Sequence, residues 1–137
     1  MAFSIDQPIR WGDMDALGHL NNTLYFRLFE EARIQWLDHI GAEFSKPNAA
    51  TGAVIVHAGC DFLYPVVYPA TTRISTTIEK IGRSSIEICH QMSTIDQPDR
   101  IVANGPVKVV WIDYKANRSV PLPDAIRATL IDYQKTQ

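Results

Sequence analysis

The chain has 137 residues, enough for one domain of ordinary size and too few for two. With 46% hydrophobic residues it can fill a core, and a net charge of −2 at pH 7 excludes the strongly basic surface that holds nucleic acid. A charged fraction of 20%, alongside three Trp, five Tyr and five Phe, is unlike a disordered acidic chain.

The start, Met1 to Arg10, lacks a basic stretch followed by an apolar run and a small-residue cleavage site, so no export signal is expected. No later segment approaches the roughly 20 apolar residues that cross a bilayer, and the expected location is cytoplasmic, with no membrane partner. Residues 3–11 form an extended candidate. The stretch from Gly12 to Asn22 is rich in Asp, Gly and Asn and reads as a loop. A long helix is predicted over 24–40: winding at about 100° per residue places Tyr25, Leu28, Phe29, Ala32, Trp36 and Ile40 on one arc, opposite Arg27, Glu31, Gln35 and Asp38. Asn21 or Asn22 suits the N-cap and Gly41 the stop. Phe26, Ile34 and Leu37 widen the apolar surface beyond what one flat sheet requires, which predicts a wrapped helix or one that touches a second subunit.

A Pro, Ala and Gly loop is expected at 47–53. The pattern then changes to period two. Val54, Val56, Ala58, Cys60 and Phe62 alternate with Ile55, His57, Gly59, Asp61 and Leu63. Thr72, Ile74, Thr76 and Ile78 follow, broken at Gly82; then come Ile86, Ile88, His90 and Met92, broken near Asp96 to Pro98. The last strand carries Val107, Val109 and Trp111, and Gly105-Pro106 reads as a bulge or an edge because Pro cannot donate to the ladder. Pro121 to Tyr133 predicts a short closing helix, with Pro123 and Asp124 near its start. Cys60 and Cys89 have neither CxxC spacing nor clustered histidines and read as reduced core thiols. One strand, a long helix, four strands and a short helix predict an α+β arrangement with an antiparallel sheet packed on one principal helix.

The chemistry is expected where the polar loop enters that helix. A helix N-terminus exposes N–H groups without intrahelical acceptors and favours an anion or a polarised carbonyl oxygen. The loop ahead of it supplies Asp13, Asp15 and His19, so a carboxylate, an imidazole and free amides can line one small site. Such a set suits acyl transfer: a carboxylate activates water or attacks directly, and amides hold the oxyanion. The same residue types also make an ordinary capped loop. A metal role for Asp13, Asp15 and His19 lacks a second ligand cluster at suitable spacing.

The run Arg10-Trp11-Gly12-Asp13-Met14-Asp15-Ala16-Leu17-Gly18-His19-Leu20-Asn21-Asn22-Thr23-Leu24-Tyr25-Phe26, followed by Glu30-Glu31-Ala32-Arg33, resembles the 4-hydroxybenzoyl-CoA thioesterase family of hotdog-fold acyl-CoA thioesterases. The order of elements matches too, so the likeness spans nearly the whole chain. The resemblance implies a hotdog fold, a five-stranded antiparallel sheet wrapped around one long central helix. It implies Asp15 as the catalytic carboxylate, Asn22 as the source of the oxyanion-binding backbone N–H, and His19 as a third participant. In the related branches with a His-x-Asn-Asn motif an Asn also takes part, and that position is Leu17 here. Asp13 is then structural. Substrate contacts are implied at Gly18, Tyr25, His57, Arg83 and Ser84. Tyr25 lines the acyl pocket or packs in the core, His57 approaches a neighbouring subunit's pocket or faces solvent, and the Arg83-Ser84-Ser85 turn meets CoA phosphates or is merely solvated. The Glu30, Glu31 and Arg33 group reads as structural, at helical pair spacing.

The expected activity is hydrolysis of an acyl-CoA thioester to a carboxylic acid and CoA, without cofactor or metal, by a homodimer or dimer of dimers in which edge strands around 54–62 pair. Two alternatives remain open: an acyl-carrier-protein thioesterase, and a catalytically silent hotdog module that binds acyl-CoA or a partner protein.

Overall fold

A computed structural model describes residues 2–42 and 49–137. The first strand, β1 (Phe3–Pro8), is shorter than the extended stretch expected over 3–11. Pro8 takes the last paired position, opposite Thr71, and the chain then turns into a 3-10 helix at Trp11–Asp13. That turn is held by bonds from the Asp13 N–H to the Arg10 carbonyl and from the Arg10 N–H to Asp13 Oδ2.

The long helix α1 (Asn22–His39) begins two residues before its predicted start. Asn21 is the cap; its side-chain oxygen accepts from the Thr23 N–H at 3.1 Å. At the other end Gly41 has φ of 83°, its N–H bonds to the Asp38 carbonyl, and the Ala42 N–H reaches the Leu37 carbonyl. This is the Schellman closure that a glycine at that position permits. Tyr25, Phe29, Ala32, Trp36 and Leu37 are buried.

The remaining elements are β2 (Thr51–Ala58), β3 (Asp61–Phe62), β4 (Thr71–Ile81), β5 (Ser85–Thr94), β6 (Ala103–Asp113), β7 (Arg118–Ser119) and α2 (Asp124–Thr136). Five long strands form one antiparallel sheet in the order β1-β4-β5-β6-β2, and the two-residue strands β3 and β7 both pair with β6. The sheet is thus the expected five-stranded one with two short additions. Thr72, Ile74, Thr76 and Ile78 alternate as buried residues along β4, and Ile86, Ile88, His90 and Met92 along β5. α1 lies on that face. α2 closes one end of the layer: Ile126, Leu130 and Tyr133 join Trp36, Leu37, Ile78, Val107 and Val109 in one apolar cluster. A second cluster, nearer the start of α1, contains Leu20, Tyr25, Phe29, Val66, Met92 and Ala103.

Several sequence expectations are corrected. Thr51, Gly52 and Ala53 belong to β2 rather than to a loop, because they pair with Asp113, Ile112 and Trp111; residues 47 and 48 of that expected loop lie outside the described residues. The strand expected to run unbroken from Val54 through Phe62 is split at Gly59 and Cys60, with a further register irregularity between Ile55 and His57. Gly105 and Pro106 form neither a bulge nor an edge. They sit inside β6, which lies between β5 and β2, and Pro106 causes the split in its neighbour: its carbonyl accepts from the Gly59 N–H, but it has no N–H to return. α2 extends three residues beyond its predicted end. Both cysteines are free; Cys89 is buried and Cys60 only half-buried. Among the described residues no helix is long and apolar enough to cross a membrane.

Candidate active site

The polar loop ahead of α1 folds as a tight hairpin. Met14 and Leu20 bridge in antiparallel fashion, the Asp15 N–H donates to the His19 carbonyl at 2.8 Å, and the Gly18 N–H donates to the Asp15 carbonyl at 3.0 Å. A turn over Asp15 to Gly18, followed by Gly18 at φ of 77°, is the three-residue hairpin in which glycine occupies the left-handed position. This geometry brings two further amides onto the Asp15 side chain. Oδ1 accepts from the Leu17 N–H at 2.9 Å and from the His19 N–H at 3.3 Å. Oδ2 has no hydrogen-bond partner among the described residues.

Asp13, two residues earlier, is used differently. Its Oδ2 accepts from the Arg10 N–H, its Oδ1 lies 3.8 Å from Arg10 Nε, and its carbonyl accepts from the Asn21 N–H. It therefore fastens the loop to the helix start, as the structural reading expects. At that start the Thr23 N–H goes to the Asn21 side chain and the Leu24 N–H to the Asn21 carbonyl. The Asn22 N–H has no acceptor among the described residues. It is the open donor of the first turn.

Asp15, His19, Asn22 and Tyr25 meet at a cleft of about 370 Å³, whose floor and far wall are Leu20, Phe62, Leu63, Tyr64 and Pro65. That volume falls in the range of small-molecule sites, roughly 300–1,000 Å³. Tyr25 is only 3% exposed and meets Phe62 edge to face, with centroids 4.9 Å apart. Burial, reinforced by Cys60 and Asp15 nearby, pushes its phenol above the ordinary tyrosine range, so it stays protonated at neutral pH. Burial likewise pushes the Cys60 thiol up to about 11, which leaves it without thiolate character.

Of the five expected substrate contacts only Tyr25 lines this cleft; His57, Arg83, Ser84 and Gly18 do not. His57 is exposed on β2, and Arg83 and Ser84 occupy the β4–β5 turn, which Arg127 of α2 clamps through the Gly82 and Arg83 carbonyls at 2.8 and 2.9 Å. Gly18 shapes the hairpin but does not line the cleft, and the Leu17 side chain, 80% exposed, points away from it at the hairpin tip. The wall from Phe62 to Pro65 is the part that residue patterns identify only as a strand end. Its signal is an aromatic run interrupted by prolines, Phe62 to Pro69, which cannot continue as a ladder strand and leaves Phe62, Leu63 and Tyr64 half-exposed. A larger hollow of about 680 Å³ surrounds Asp6 and Arg73, but these two charges already satisfy each other through bonds of 2.8 and 2.9 Å. Among the described residues no group of three or more His, Cys, Asp or Glu side chains is disposed to hold a metal ion.

The long helix lies on an antiparallel sheet, with a carboxylate and an open first-turn amide at one cleft. Residues 9–130 match the family model of the Thioesterase-like superfamily, and the chain belongs to that family. Among its relatives is a 1,4-dihydroxy-2-naphthoyl-CoA hydrolase of Synechococcus sp. strain WH7803, 30% identical over 92% of this chain and 86% of that protein. The long-chain acyl-CoA thioesterase FadM of Escherichia coli K12 is 24% identical over 89% of this chain and 92% of its own. Of solved structures, the PA2801 protein from Pseudomonas aeruginosa is 40% identical, with a TM-score of 0.85 over 93% of this chain and 96% of that one.

Proposed function

We propose that the chain is an acyl-CoA thioesterase in which Asp15 is the catalytic carboxylate, the Asn22 N–H the oxyanion donor and His19 an auxiliary group. The observation that carries this reading is the pairing, in one cleft, of a carboxylate with one oxygen uncommitted and a helix-start amide without an acceptor among the described residues. With the thioester carbonyl oxygen on the Asn22 N–H, Asp15 Oδ2 takes a proton from water as the water oxygen attacks the carbonyl carbon. The tetrahedral oxyanion is held by the amide; the C–S bond then breaks, and the proton on Asp15 passes to the departing thiolate. The products are a carboxylic acid and CoA thiol. Direct attack by Asp15, giving an acyl anhydride that water cleaves, uses the same atoms. His19 lines the cleft and orders the attacking water.

Hydrolysis of CoA thioesters is the activity of the two relatives named above, one acting on an aryl and one on a long-chain acyl group, so the acyl preference stays open between them. In this reading Gly18 acts through the loop, Tyr25 faces the acyl group, and His57, Arg83 and Ser84 reach substrate only across a subunit boundary. That boundary is the edge of β2, unpaired among the described residues, where Ile55 and Val56 are exposed; this supports pairing with a second copy, as a homodimer or dimer of dimers. A panel of short, long and aryl acyl-CoAs, with release of free CoA thiol as the readout, tests the reading. Turnover of at least one is expected; binding without release of thiol from any of them would favour the silent module instead.

A further inference from the structure

We propose that Gly18 is a positioning residue for hydrolysis: its left-handed backbone turns the Leu17 and His19 amides onto Asp15 Oδ1 and so reserves Oδ2 for the cleft. The inference rests on Asp15 being the catalytic carboxylate, but adds a residue that touches no substrate. Asp15 and His19 are four positions apart, and their amides and carbonyls close around Gly18: the Gly18 N–H reaches the Asp15 carbonyl, and the Asp15 N–H reaches the His19 carbonyl. At a φ of 77° a side-chain-bearing residue is strained, and the hairpin must open or rotate to relieve it. Rotation withdraws the His19 N–H first, since its bond to Oδ1 is the longer at 3.3 Å, against 2.9 Å for Leu17. The carboxylate is then free to turn away from the reacting carbon.

Space is not the constraint. A Cβ on Gly18 would meet nothing within 4 Å, so any effect of Gly18→Ala is an effect of the backbone. The molecule also supplies a matched control. Gly41, closing the far end of α1, has φ of 83°, a Cβ there would likewise meet nothing within 4 Å among the described residues, and the length of the 18-residue helix separates it from the Asp15 hairpin. Gly18→Ala and Gly41→Ala therefore impose the same kind of strain at opposite ends of one helix.

The experiment measures kcat and KM on the best acyl-CoA of the panel, together with unfolding midpoints, for wild type, Gly18→Ala, Gly18→Asn and Gly41→Ala. Misplacement of a reacting group by about 1 Å can cost on the order of a hundredfold in rate, so kcat should fall at least about tenfold in Gly18→Ala with KM within about twofold. Asn tolerates the left-handed region better than Ala, so Gly18→Asn should recover much of that loss despite its larger side chain. Gly41→Ala should lower the unfolding midpoint comparably while keeping wild-type kcat. A Gly18→Ala enzyme with wild-type kcat, a loss shared equally by Gly41→Ala, or an Asn variant worse than the Ala variant would each overturn the positioning role. Failure of wild type to hydrolyse any thioester would instead overturn the thioesterase reading, and the positioning role with it.

Discussion

Asp15 and His90 show how differently this fold treats two polar side chains. Asp15 sits at a cleft with one oxygen bound by amides and the other without a partner among the described residues. His90 is fully buried, stacked on Phe29 at 5.6 Å, with Nδ1 2.9 Å from the Thr76 hydroxyl and no partner for Nε2 among the described residues. Burial, helped by the Arg33 charge, pushes its pKa from 6.5 down to about 3. The folded protein keeps this imidazole neutral, whereas the unfolded chain protonates it below about 6.5, so stability is lost as pH falls from about 6.5 towards 3. At pH 5 the loss from this group is on the order of 2 kcal/mol relative to pH 7.5. Urea unfolding at the two pH values checks this: wild type should lose that amount and His90→Phe distinctly less, and equal losses would place the acid sensitivity elsewhere.

β6 is held to α1 by a close approach that only glycine permits. A Cβ on Gly105 would lie 2.6 and 2.7 Å from the Phe29 ring, which is itself confined by His90. Gly105→Ala should therefore destabilise by about 1–3 kcal/mol in denaturant unfolding, the usual cost of overpacking a filled core. A change below a few tenths would mean that the helix can lift off the sheet there. The same dipeptide shows what the sequence could and could not reveal. That Pro106 disturbs a ladder was legible from its missing donor; that the disturbance falls on the neighbouring edge strand, splitting β2 from β3, depends on which strand pairs with it. α1 was legible through its apolar arc, its Asn cap and Gly41, because each acts within a few residues. The Asp15, His19 and Asn22 set was legible for the same reason. The opposite wall of the cleft was not: Phe62 to Pro65 reaches it only because the Leu20 N–H binds the Val66 carbonyl across 46 positions of chain and the Leu63 N–H binds Val102. Nor was β7, since two residues carry no period.

At the scale of the whole molecule, β1 and β2 are the edge strands of the sheet among the described residues, and the cleft lies at the start of α1. Arg83, Ser84 and His57 do not line the cleft, so the substrate contacts proposed for them require a second copy of the chain. Light scattering at micromolar concentration should report a dimer or larger, and a charged substitution on the β2 edge, Val56→Lys, should shift it towards monomer. A wild-type monomer would confine the site to the residues of one cleft. The most direct measurement of the central claim is the turnover of Asp15→Asn. Asparagine keeps an Oδ1 that accepts from the Leu17 and His19 amides, so the hairpin and the unfolding midpoint should stay as in wild type. A base or nucleophile lost from a positioned site lowers the rate by about 10²- to 10⁴-fold, and kcat for the best acyl-CoA should fall by at least the lower figure. Hydrolysis within about threefold of wild type, in a variant of normal stability, would contradict a catalytic role for Asp15.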